Sequence, residues 1–284
     1  MACAPFPHSN RCLAAHARPA YRRWPMTSRP KKSLGQHFLT DRNILGSVAD
    51  AAYVGVADVV VEIGPGRGAL TSVLAERAAR VIAIELDTAL AVELRETMPA
   101  NVNIVEADAR EIRPASLLGI RVPYKLVGNL PYYAALPILR AFLESDHRPT
   151  HVAILVQLEV ARQLCAEPGR MSLAALGVQL FGAPRIVRRV PPGAFNPPPK
   201  VTSAVVGITV FDSPAAGVTN VERFFTVARA GFSTRRKQLR NALANGLAID
   251  AGAAEAMLTQ AGIDTKRRAE SLSVAEWARL VAAT

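Results

Sequence analysis

The chain has 284 residues, half of them hydrophobic, and carries 34 Lys and Arg against 23 Asp and Glu, a formal net charge of +11. That is enough to bury a full core in one large domain plus a small one, and no apolar run approaches the length of a membrane span. The basic excess points to a polyanionic partner, nucleic acid being the commonest, against the plainer reading of a solvated basic face.

Cys3, Cys12 and Cys165 have neither the count nor the spacing of a disulfide framework or a zinc site, so a reducing, cytoplasmic setting and no metal are expected. Residues 1–28 stand apart. Arg11, Arg18, Arg22 and Arg23 occur there among prolines, and no acid appears before Asp41. Three readings compete: a misassigned start with Met26 as the true first residue, which is preferred, a disordered basic tail touching RNA, or an organelle transit peptide.

A basic and then apolar segment, residues 31–39, precedes a first helix expected to start near Asp41, a suitable N-cap, and to run through Ile44, Leu45 and Val48. Placed before the first strand, this segment can fold over a ligand mouth and bring His37 and Leu39 to it. Val59, Val60, Val61 and Ile63 then form a β-branched run suited to a strand covered on both faces. Gly64, Gly66 and Gly68 follow where the strand ends, allowing tight turning and close approach of a ligand to the main chain. Helical spacing covers residues 69–80 and a second strand covers 81–85, which makes a βαβ unit. Glu85 falls about 20 residues after the first glycine, where an acid accepts hydrogen bonds from ribose hydroxyls. On the loop alone, NAD and S-adenosylmethionine are equally good occupants.

Residues 86–98 fit a helix and 102–108 a third strand, whose Asp108 is placed to bind an adenine amine. The fourth strand, 124–128, delivers Asn129, Leu130, Pro131 and Tyr132 to the same carboxyl edge, and this tetrapeptide favours methyl transfer. An exocyclic base amine is a poor nucleophile. The Asn129 side-chain oxygen and the Leu130 carbonyl can hold its two hydrogens and favour a pyramidal nitrogen, with Pro131 fixing the backbone and Tyr132 stacking on the base. Beyond it come a helix (136–143), a strand (151–157), helices (158–164 and 172–181) and two strands (185–190 and 201–210) around a proline-rich loop. In that loop Phe195 is a candidate for the second face of a base sandwich with Tyr132, or simply a packing residue.

With these residues assembled, the chain resembles the KsgA/RsmA family of small-subunit ribosomal RNA adenine dimethyltransferases over about residues 31–284. The resemblance rests on Leu34-Gly-Gln-His-Phe-Leu39, Glu62-Ile-Gly-Pro-Gly66, Ile84-Glu-Leu-Asp87, Asn129-Leu-Pro-Tyr132, Phe195-Asn-Pro-Pro-Pro-Lys-Val201 with Ser203-Ala-Val-Val206, and Phe232-Ser-Thr-Arg-Arg-Lys-Gln-Leu-Arg-Asn241. It implies an α/β class I (Rossmann-like) methyltransferase with a seven-stranded, mostly parallel sheet and a small all-helical C-terminal domain. The implied cofactor is S-adenosylmethionine, contacted by His37, Leu39, Gly64, Gly66, Glu85, Asp108 and Asn129. The implied reaction adds two methyls to each of two adjacent adenosines near the 3′ end of small-subunit RNA, within pre-ribosomal particles, by a monomer. Leu158 and Pro168 depart from the family's usual Lys and Tyr, away from the expected chemistry.

The composition turns helical after residues 211–217, giving an expected division into a tail (1–28), a methyltransferase domain (29–213) and a helical RNA-binding domain (214–284). Amphipathic helices are expected at 221–231, 237–247, 253–261 and 274–283. Arg235, Arg236, Lys237 and Arg240, with a second cluster at 266–268, are read as phosphate contacts. The rival functions are a methyltransferase of the macrolide-resistance (Erm) type acting on a large-subunit adenine, a ribosome-assembly factor with secondary methylation, and, more distantly, an NAD oxidoreductase.

Overall fold

The computed structural model describes residues 37–118, 122–130, 134–234 and 236–284. The N-terminal tail, Pro131, Tyr132 and Arg235 lie outside the described residues. In chain order the elements are β1 (Phe38–Leu39), α1 (Arg42–Ala51), β2 (Val59–Ile63), α2 (Ala69–Ala75), β3 (Arg80–Glu85), α3 (Thr88–Thr97), β4 (Val102–Glu106), α4 (Pro114–Leu118), β5 (Tyr124–Asn129), α5 (Ala135–Leu143), β6 (His151–Gln157), α6 (Leu158–Leu164), α7 (Leu173–Gln179), β7 (Gly182–Val190), β8 (Phe195–Asn196) and β9 (Ser203–Val210). Four helices close the chain: α8 (Val221–Phe232), α9 (Leu239–Leu247), α10 (Ala251–Gln260) and α11 (Val274–Ala282).

Seven strands form one sheet in the order β4-β3-β2-β5-β6-β9-β7. The first five are parallel, and β9 enters antiparallel between β6 and β7. Parallel strands need helical cover on both faces, which explains why β2, β5 and β6 read as continuous apolar runs. Alternation along β2 divides that cover: Val61 and Ile63 pack with α5 and α7, while Val60 packs with α1 and α2. Asp41 caps α1 as expected, accepting from the main-chain N–H groups of Asn43 and Ile44.

Three elements differ from the sequence reading for identifiable reasons. The helix expected over 69–80 ends at Ala75, because Ala79 and Arg80 donate their N–H groups to the Asp58 carbonyl and the chain turns back into the sheet. The third strand ends at Glu106, leaving Asp108 in the turn that follows. A separate two-stranded ladder joins β1 to β8, pairing Phe38 with Asn196 and Leu39 with Phe195. Two-residue strands are too short to show a period, so nothing in the sequence announces them.

The C-terminal helices share one apolar cluster with the sheet. Phe181 and Phe225 meet with ring centroids 6.5 Å apart, and Gly169 and Met171 donate to the Glu270 carbonyl at 2.8 and 3.0 Å. Trp277 of α11 is fully buried against α8, where a Cβ on Gly231 would stand 2.4 Å from its ring. The change of composition near residues 211–217 therefore marks a change of architecture within a continuous core.

Candidate active site

The sheet register assembles the site. Ile63 pairs with Ile84 on one side and with Gly128 on the other, so the residues that follow, Gly64, Glu85 and Asn129, come together at the carboxyl edge. Ligands of open α/β sheets bind at this edge. Gly64 is tied to the sheet by its N–H, which donates to the Ile84 carbonyl at 2.9 Å. Gly66 is left-handed (φ +58°), and its absent side chain is filled by the Phe38 ring, which would lie 2.9 Å from a Cβ. Gly68, also left-handed, is the N-cap of α2.

Glu85 is buried and holds the loop through its carboxylate. Oε2 accepts from the Gly66 N–H at 3.0 Å and Oε1 from the Asp87 N–H at 2.9 Å. Burial raises its pKa, while these backbone donors oppose the rise. A carboxylate offers about four acceptor positions, so two remain for hydroxyls.

The segment ahead of α1 forms a strap over this loop. Asn129 Nδ2 donates to the His37 carbonyl at 2.9 Å, His37 Nδ1 donates to the Pro197 carbonyl at 2.8 Å, and the Arg67 guanidinium lies 4.7 Å from the centre of the Phe38 ring. The amide of Asn129 is thereby oriented, with its nitrogen turned to the strap and its oxygen left to accept. Leu39 is buried in the strap's packing, and Leu130, directly after β5, is buried as well.

Asp108 sits beside the site with its carboxylate held by Arg110, which donates from Nε at 3.0 Å and from its main-chain N–H at 2.9 Å. The Arg110 hydrogen bonds hold its pKa below the usual carboxylate range. Phe195, read from sequence as either a base-stacking or a packing residue, lies in the packing of the β1–β8 ladder. It is 4 % exposed and packed with Leu39 and Ala194.

Sequence reasoning missed Phe38, Arg67 and Thr71. Phe38 lies between the two residues singled out in its motif, and on a strand the middle residue faces the other way, which was the available signal. It also missed the state of Glu62. That acid is fully buried on β2; neither of its carboxylate oxygens nor the neighbouring Thr71 hydroxyl makes a well-formed hydrogen bond. Desolvation pushes its pKa up to about 8, opposed only in part by the nearness of the Thr71 hydroxyl.

The basic residues of the C-terminal region divide into two groups. Arg236 and Lys237 are exposed, as are Lys266 and Arg268, and the two segments are joined by the Leu239 N–H donating to the Arg267 carbonyl at 2.8 Å. Arg240 instead pairs with Glu255 of α10 at 3.0 Å. Arg267 grips Glu276 and the Ser271 carbonyl, inside a capping box at the start of α11. Arg240 thus ties α9 to α10, and Arg267 ties the turn before α11 to the start of that helix.

A parallel sheet with this strand order, a glycine loop, a strand-terminal acid and an Asn-bearing fourth edge position defines a class I methyltransferase. The ribosomal RNA adenine dimethylase family matches residues 27–284, and the chain belongs to that family. Among its relatives are the ribosomal RNA small subunit methyltransferases A of Dehalococcoides mccartyi, 45 % identical over 89 % of this chain and 88 % of the relative, and of Moorella thermoacetica, 43 % identical over 88 % and 91 %. Among solved structures, the 23S rRNA methyltransferase ErmE is similar with a TM-score of 0.69 at 28 % identity, covering 87 % of this chain and 98 % of that one. A dimethyladenosine transferase from Plasmodium falciparum shares the fold with a TM-score of 0.72 at 24 % identity, covering 86 % and 96 %.

Proposed function

We propose that this enzyme dimethylates the exocyclic amines of two adjacent adenosines near the 3′ end of small-subunit ribosomal RNA, using S-adenosylmethionine. The observation that carries the reading is the Asn129 amide, oriented by the His37 carbonyl so that its oxygen is an acceptor at the edge shared with the glycine loop. Relatives at 38–46 % identity carry the name ribosomal RNA small subunit methyltransferase A, whereas ErmE, named for the 23S RNA, stands at 28 %. This favours the small-subunit substrate over the resistance-type alternative.

The residues present fit a cationic nucleoside cofactor, because two buried acids, Glu62 and Glu85, lie at the glycine loop without a Lys or Arg partner among the described residues. When bound, the cofactor supplies a methyl group made electrophilic by a positive sulfur. Glu85 would accept from the ribose hydroxyls, Gly64 and Gly66 would leave room for the amino-acid end, and Asp108 would exchange part of its Arg110 contact for the adenine amine. Asn129 and the Leu130 carbonyl would accept from the two hydrogens of the target amine, holding its lone pair toward the methyl. No base need remove a proton beforehand, so orientation provides most of the acceleration. The exposed Arg236, Lys237, Lys266 and Arg268 would hold RNA phosphates without reading sequence. We assign the enzyme to the cytoplasm as a monomer acting on pre-ribosomal particles.

Reverse transcription through the 3′ end of small-subunit RNA tests this in cells. Dimethylation removes both amine hydrogens and so blocks base pairing. Stops at two adjacent adenosines are expected in the parent strain and read-through in a strain lacking the gene; stops persisting without the gene would refute the assignment.

A further inference from the structure

Glu62 is an acid with no counter-charge among the described residues. It lies fully buried on β2, two residues before the glycine loop; no hydrogen bond of good geometry reaches either carboxylate oxygen, and the nearby Thr71 hydroxyl of α2 partly relieves it. Among the described residues, the elements around it supply no cation. α2 carries no charged residue. On β5, Lys125 is paired with Asp58 at 2.7 Å, toward the opposite end of the sheet. On α1, Arg42 pairs with Glu76 and Asp50 with Arg77. In the loop, Arg67 lies over Phe38; in the strap, His37 donates to Pro197; on β3, Arg80 is exposed at the far end. What acts on Glu62 is first its burial, then the Thr71 hydroxyl, which opposes the rise, and least Glu85, a like charge itself contacted by Asp87.

An isolated carboxylate in such a place is neutralised by taking up a proton, and a cation arriving nearby removes the reason for keeping it. We propose that Glu62 is a neutral acid in the free protein and releases its proton when the ammonium group of the cofactor's amino-acid end occupies the glycine loop, so that cofactor recognition is coupled to proton release. The O–H bond of the carboxyl breaks, the proton passes to the buffer, and the carboxylate left behind balances the ligand's positive charge. Burial, with a lesser contribution from Glu85, pushes the free protein's Glu62 up to about 8, in agreement with the geometry. The proposal rests on the cofactor reading above.

Titration calorimetry with S-adenosylhomocysteine tests it without turnover, since that product keeps the ammonium group. Binding heats measured at pH 7 in phosphate and in Tris, whose ionisation enthalpies differ widely, give the protons released per ligand. The expected value is about 0.9, the protonated fraction at pH 7 of a group titrating near 8. Glu62→Gln, which keeps the shape of the neutral acid, should bind with release near zero. In the wild-type protein 5′-methylthioadenosine, which lacks the amino-acid end, should also bind without release. Binding of S-adenosylhomocysteine with no buffer dependence at pH 6, 7 and 8 would overturn the proposal. So would equal release from Glu62→Gln, which would point to Glu85, or equal release with 5′-methylthioadenosine. Failure of S-adenosylhomocysteine to bind at all would overturn the cofactor reading, and the proposal with it.

Discussion

Asn129 donates from its side-chain nitrogen to the main-chain carbonyl of His37, 92 positions earlier in the chain and 2.9 Å away. One hydrogen bond thus decides which end of the amide faces the strap and which end faces the open edge of the sheet. A carbonyl can only accept, so the assignment of nitrogen and oxygen follows from the partner.

Asn129→Asp places a carboxylate against that carbonyl, which repels it, and should both loosen the strap and misdirect the acceptor. Asn129→Ala removes the acceptor and the hydrogen bond to the strap but adds no repelling charge. Single-turnover methylation should fall by about a hundredfold or more in each, on the scale seen when one oriented polar group is removed from a transition-state contact. Cofactor affinity should fall further in Asn129→Asp than in Asn129→Ala. A normal methylation rate in Asn129→Ala would contradict the role assigned.

Gly66→Ala meets two obstacles at once. The residue adopts φ +58°, and its new methyl would stand 2.9 Å from the Phe38 ring. The left-handed backbone costs about 1 kcal/mol for a non-glycine residue, and the displaced ring would carry the strap away from the loop. Affinity for S-adenosylhomocysteine should drop tenfold or more with little change in far-UV dichroism. Affinity unchanged would show that the strap is not positioned by this contact.

Glu62 gives the stability a characteristic pH dependence. Its folded-state pKa is raised from 4.5 to about 8. The folded protein therefore holds a proton that the unfolded chain has lost, and stability is highest below about pH 4.5 as far as this group is concerned, declining as pH rises through about 8. Between pH 5 and pH 8, Glu62→Gln should gain on the wild type by a few kcal/mol in denaturant melts. Parallel stability curves for the two proteins would contradict a buried, unpaired acid.

Glu276 behaves oppositely. The Arg267 hydrogen bond, aided by the Ser273 N–H and hydroxyl, lowers its pKa to about 2. Its contribution is present above about pH 4.5 and is lost as pH falls through 2. Arg267→Ala should destabilise the protein at pH 7 by about 2 kcal/mol, as for a hydrogen bond to a charged group, and the difference should shrink in acid. Weaker RNA binding at unchanged stability would instead make Arg267 a phosphate ligand.

Arg236→Ala with Lys237→Ala should lower affinity for small-subunit particles and flatten its dependence on salt, by about 0.7 to 0.9 in slope for each phosphate left without its cation. Arg240→Ala, which breaks the link to Glu255 between α9 and α10, should leave that slope nearly unchanged. An equal effect of both changes would put Arg240 on the RNA.

The sheet was largely legible because its strands are β-branched runs ending in chemistry. Val59 to Ile63 leads into glycines, Ile84 into Glu85 and Gly128 into Asn129, and His151–Gln157 with Leu158–Leu164 fall where periodicity places them. What could not be read is what tertiary contact decides. The ladder of Leu39 with Phe195 joins residues far apart in sequence and closes Phe195 into packing. The diversion of Arg240 and Arg267 into ion pairs depends on helices meeting, and a run of basic residues looks the same whether or not its members are taken. The isolation of Glu62 likewise follows from where every neighbouring cation went.

The most direct test supplies purified enzyme with isotopically labelled S-adenosylmethionine and immature small subunits that lack the modification, then maps the label on the RNA. Dimethyladenosine at two adjacent positions near the 3′ end of the small-subunit RNA is the predicted result. Label on large-subunit RNA offered alongside, or particle binding without any label, would contradict it.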